Sequence, residues 1–203
     1  MEKDEILAEL DPFLETMYSA IATGWNEYFS VYEENLYVHS ACSRASLIRD
    51  HILKNVKSVF DSHDKVNFTE KNRLCLMQVG AILLRFKKLN SKLIAANIPT
   101  IQAKSYSSQN QLPHMPAAVH LNVGYLPNHL WTKMMGIYLT FPSRIDRVGW
   151  VVDLNGYLSK NASIIELPFL EASVSAADAS TKRLRVKEGL LSSRRISNGE
   201  ENS

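Results

Sequence analysis

The sequence predicts an α+β domain, with two N-terminal helices packed on a mostly antiparallel sheet of about five or six strands and a flexible C-terminal tail. Three observations carry this. Apolar residues recur at three- and four-residue spacing up to residue 60. From Val66 onward that spacing gives way to short apolar runs divided by turn residues. The last forty or so residues end in a basic, then polar stretch that cannot build a core of its own. The expected organisation is one domain over residues 1–160, helical over 4–60 and sheet over 66–154, with residues 161–203 as a partly disordered extension.

The first helix is expected from Asp4 to Tyr37. Ile6, Leu7, Leu10, Phe13, Leu14, Met17 and Ile21 form its stripe, and Trp25, Tyr28, Phe29, Tyr32 and Leu36 continue it. Pro12 marks a helix start or a break, and Gly24 weakens the middle. A second helix spans Ser40 to Val59, with Leu47, Ile48, Ile52, Leu53 and Val56 inward and Lys54 and Lys57 toward water. Ser62–Lys65 reads as the turn that leaves it.

Val66 and Phe68 begin a strand, Thr69–Asn72 reads as a turn, and Leu74–Val79 suits a strand covered on both faces. Gly80 divides that run from Ala81–Lys88, giving either a bulged hairpin or one long bent strand. Leu89–Pro116 is a long polar connection in which Ile94–Ala96 forms a helical turn. Val119–Leu126, Lys133–Phe141 and Val148–Leu154 then form an antiparallel meander.

Composition is that of a globular protein, 45% hydrophobic and 22% charged, with net charge +2. The charge is unevenly placed. Residues 1–34 hold nine acids and one base, whereas residues 44–92 hold eleven bases and four acids. Such a dipolar molecule orients a charged partner. Cys42 and Cys75 have apolar neighbours and read as buried thiols, not as a disulfide framework. No apolar run is long enough to span a membrane, and the acidic N-terminus lacks a signal core, so the expected location is cytoplasmic.

No assembled catalytic motif appears. The six histidines are scattered without HxxxH spacing and no CxxC pair exists, so no cofactor and no metal are expected. Arg44 and His51 are seven residues apart, two turns of helix, and so share one face. An arginine that holds phosphate beside a histidine that moves a proton is the equipment of ribonucleolytic cleavage. Arg49, Arg85, Lys87, Lys88 and Lys92 form a basic rim suited to a protein partner or to phosphates, with Phe86 and Tyr106 placed to stack on bases. Lys182, Arg183, Arg185, Lys187, Arg194 and Arg195 make a second basic arm in the tail. The stripe Trp25, Tyr28, Phe29 and Tyr32 belongs to a core or a homodimer interface.

Two resemblances follow from these residues. Arg44-ASLIRD-His51 resembles the Arg-x(4–6)-His motif of HEPN-type ribonucleases, with Ala45 where those proteins carry a polar residue. That resemblance implies catalytic roles for Arg44 and His51. The order RASLIRDHI, LLRFKKLN, NIPTIQAKSYSSQNQLP, HLNVGYLPN and a Trp-Val-Val-Asp-Leu strand is similar to small bacterial proteins encoded beside ImmA/IrrE-type peptidase and helix-turn-helix genes. It implies the interaction component of a toxin–antitoxin-like or phage-defence module, with a protein partner, nucleic acid as a further candidate, and no membrane.

Overall fold

The computed structural model describes residues 2–71, 74–113 and 115–161. The chain divides into a unit Met1–Ile164 and a unit Ile165–Ser203, the latter outside the described residues together with the expected basic arm of the tail. His114 also lies outside them.

Two helices come first, α1 (Lys3–Val31) and α2 (Ala41–Phe60), joined by a 3-10 segment (Glu33–Val38). A capping box starts α1, with Glu2 N donating to Glu5 Oε2 at 2.9 Å. Pro12 lies inside the helix rather than ending it. The proline removes one backbone bond, but the apolar stripe from Ile6 to Tyr28 is buried on both sides of it and holds the helix together. The expected extension to Tyr37 stops at Val31, because none of the residues 33–38 is buried and no packing rewards a further α turn. Ser40 caps α2 by accepting from Ser43 N at 3.2 Å. The two helices cross at Gly24, where an added Cβ would lie 2.7 Å from the Cα of Ile52.

Six strands form one sheet in sequence order: β1 (Val66–Lys71), β2 (Leu74–Val79), β3 (Ile82–Lys88), β4 (Val119–Pro127), β5 (Met134–Arg144) and β6 (Arg147–Asp153). All neighbours are antiparallel except β3 and β4, which are parallel. Thr69–Lys71 are therefore strand, not turn, because they pair with Leu76, Cys75 and Leu74. Between β2 and β3 the chain makes a two-residue hairpin, with Gly80 at φ +51° in its first position. Pro142–Arg144, past the expected strand end at Phe141, extend β5 through an irregular register with β6.

A parallel pair needs a crossover, and this explains the long polar connection. It carries α3 (Ile101–Ser107), which the sequence analysis missed. Ile94–Ala96 is not helical; Ala95 bridges Leu89 instead. Thr100 caps α3 by accepting from Ala103 N at 3.1 Å. Tyr106 then pins the helix to the sheet, its hydroxyl 2.9 Å from Leu83 O and 2.6 Å from Leu121 O. Gln109 completes the attachment, donating to His120 O and Pro142 O and accepting from His120 N.

The sheet is thus covered on both faces. Cys75, Met77, Leu84, Phe86, Leu121, Val123 and Leu139 pack with α1 and α2 in the main core. Leu74, Leu76 and Leu83 pack with Tyr106 and Leu112 in a smaller one. The two-sided burial is why β2 shows no polar alternation. A short α4 (Leu154–Asn161) follows β6, and Leu154, expected as the last strand residue, anchors it in the core.

Candidate anion-binding cleft

The basic residues of α2 and β3 meet at one end of the sheet. β2 and β3 pair only from Met77↔Leu84 to Val79↔Ile82, while β3 continues along β4 as far as Lys88↔Tyr125. Beyond Leu84 the β2 side of β3 is met by a different segment, which Ala96 N joins to Lys88 O at 2.9 Å. The turn before it is built by Asn90, whose Oδ1 accepts from Lys92 N and Ile94 N. A cleft of about 450 Å³ lies between this segment and the first turns of α2.

Three cations line it: Arg49 from α2 and Lys87 and Lys88 from β3. Ser46, Asn97 and Ile98 add a hydroxyl, an amide and an apolar wall. No lining residue is a carboxylate. Among the described residues, Lys87 and Lys88 have no ion-pair partner. Lys88 lies over the Trp131 ring at 4.8 Å. Burial, with Arg85 and Arg49 nearby, pushes the Lys87 ammonium down to about 8. Asn97 Oδ1 is a buried acceptor with no donor among the described residues. Ala41 and Cys42 also stand on the wall, and their N–H groups, the first two of α2, have no protein acceptor among the described residues.

The other expected site residues go elsewhere. Arg85 shares β3 with Lys87 but lies across the Tyr106 ring, 5.6 Å from its centre. Lys92 borders a separate hollow with Ile145 and Asp146. Arg44 donates to Leu36 O at 2.8 Å and to His39 O at 3.0 Å, holding the 3-10 segment on α2. His51 Nδ1 lies 3.2 Å from Glu27 Oε2, and its ring meets Tyr32 edge-on. Hydrogen bonds from Asn55 and His51 hold the Glu27 carboxyl below its usual range. No contact joins Arg44 to His51; each serves a different neighbour.

Two expectations about chemistry are corrected here, and one turn residue has a further role. Phe86 and Tyr106 are 2% and 1% exposed, so neither offers a face to a nucleobase. Cys42 is exposed on the cleft wall rather than buried, because the buried stripe of α2 starts only at Ile48; Cys75 is buried as expected. His63 is not only a turn residue, since its ring packs edge-on against Phe13 at 5.0 Å. The aromatic stripe is core in part: Trp25 and Tyr28 are buried, with Phe29 and Tyr32 packed at the margin.

Asn97 and Ser46 were invisible as site residues. Their convergence depends on the Leu89↔Ala95 bridge and on where the helix cap falls, neither of which has a sequence period. Among the described residues, no group of three or more His, Cys, Asp or Glu side chains gathers to hold a metal, and no helix is long and apolar enough to cross a membrane. No family model, curated protein or solved structure matches this chain.

Proposed function

We propose that this chain is a binding protein that engages an anionic partner at the cleft of Arg49, Lys87 and Lys88, as the interaction component of a toxin–antitoxin-like or phage-defence module. The module setting comes from the sequence resemblance alone. The binding reading is supported by one observation above others: three cations converge on a concave surface that supplies no carboxylate. Arg49 has Asp50 at 3.9 Å, but Lys87 and Lys88 are half-buried with no ion-pair partner among the described residues; that costs stability, and an incoming anion removes the cost.

A protein partner fits better than nucleic acid. Phosphate-backbone binding wants a longer basic track and, for single strands, stacking faces; the two rings placed for stacking are buried. The ribonuclease reading is not carried forward, because Arg44 is engaged with main-chain carbonyls and His51 with Glu27. The test is affinity capture from cells of the natural host, with wild type beside the triple variant Arg49→Glu, Lys87→Glu, Lys88→Glu. Wild type is expected to enrich a partner that the folded triple variant loses. Equal enrichment by both contradicts the reading, and steeply salt-dependent RNA binding lost in the same variant replaces the protein partner with nucleic acid.

A further inference from the structure

The cationic cleft has more structure than a charged patch. Its cations come from two elements, α2 and β3, and converge instead of forming a line. Ala41 and Cys42, whose N–H groups have no protein acceptor among the described residues, line the region where positive charge accumulates. Asn97 and Ser46 stand on the same wall, with Ile98 and Ala45 beside them. Such a set matches a compact, multiply charged oxyanion on a small organic body better than one carboxylate. Backbone N–H groups and lysines take the oxyanion oxygens.

We propose that the cleft binds a phosphomonoester, its phosphoryl group held by Lys87, Lys88, Arg49 and the first N–H groups of α2, and its organic body against Ile98. The proposal rests on the reading of this end as an anion-binding surface, and it names the group that enters. The lowered ionisation of Lys87 adds a pH signature. The charged groups that bear on it are Arg85, two residues back on β3, and Arg49 from α2. Affinity therefore declines as pH rises through about 8, where the Lys87 amine becomes neutral and stops attracting the anion.

Phenyl phosphate is the probe, titrated calorimetrically near neutral pH against wild type, Lys87→Met, Lys88→Met and Lys92→Met. Phenyl sulfate, the singly charged analogue, and inorganic phosphate are run alongside. Phenyl phosphate is expected to bind wild type at least ~10-fold more tightly than phenyl sulfate. Lys87→Met and Lys88→Met each weaken it by about 10-fold, and Lys92→Met, outside the cleft, leaves it unchanged. Bound phenyl phosphate also slows alkylation of Cys42 by iodoacetamide, since that thiol is exposed on the cleft wall. Equal affinity for phenyl phosphate and phenyl sulfate, or unchanged affinity in both cleft-lysine variants, overturns the proposal. Inorganic phosphate binding as tightly as the ester overturns the role given to Ile98. Partner capture that the triple variant loses, with no phenyl phosphate bound, sinks this inference and leaves the broader reading standing; phenyl phosphate binding without a captured partner does the reverse.

Discussion

Lys87 sits half-buried between Arg85 and Arg49, and its ammonium group is destabilised by lost solvation and by those two like charges. The unfolded chain keeps it protonated up to about 10.4, whereas the folded chain releases the proton near 8. Between those values the unfolded state binds more protons, so this group makes stability rise with pH across that window. Lys87→Met removes the penalty and is expected to stabilise the protein at neutral pH by about 1–2 kcal/mol, with the gain fading toward pH ~10. Urea unfolding of both proteins across that range checks it; equal pH dependence in the two contradicts it. Tyr106 makes the opposite kind of contribution. Its hydroxyl lies within bonding distance of two buried carbonyls on neighbouring strands, Leu83 O and Leu121 O, and donates its single proton to one at a time. Tyr106→Phe leaves both without that donor, and a loss of about 1–3 kcal/mol is expected in the same assay.

α1 and α2 meet so closely at Gly24 that a methyl group there would press on the Ile52 backbone. Gly24→Ala is therefore expected to cost about 1–3 kcal/mol, despite the better helix propensity of alanine. Thermal unfolding reads the sign: a raised melting temperature would show that the helices stand apart. Arg44→Ala releases Leu36 O in the 3-10 segment and His39 O just after it, and faster amide exchange over residues 33–39 is the expected result. At this scale the sequence was legible wherever burial has a period. The α1 and α2 stripes and the strands of the meander follow from spacing, because one face of each element meets the core. Gly24 was legible only as a weakness, since its close approach to Ile52 involves a residue on another helix. α3 was missed for a similar reason. Its seven residues bury Ala103, Tyr106 and Ser107, and its position depends on one tyrosine hydroxyl rather than on a repeating stripe. The cleft was half legible: Arg49, Lys87 and Lys88 stand out as charges, while Asn97 reaches them only through the turn built by Asn90.

Over the whole described unit, the order of elements separates the charges. Acidic residues crowd the first half of α1 and the segment at Glu33–Glu34, while α2 and β3 carry the bases. Part of that asymmetry is neutralised internally, as Lys57 pairs with Glu70 at 2.7 Å and Lys54 with Glu27 at 3.7 Å. Lys87 and Lys88 are left out of this pairing. That difference, more than the net charge of the chain, points to the cleft as the binding surface. The most direct check is the rate at which Lys87 and Lys88 are acetylated in the captured complex and in the free protein, resolved by peptide mass spectrometry, with exposed Lys54 as the internal reference. The account predicts that both cleft lysines become protected in the complex while Lys54 reacts as before. Acetylation of Lys87 and Lys88 at the same rate in complex and free protein would contradict it.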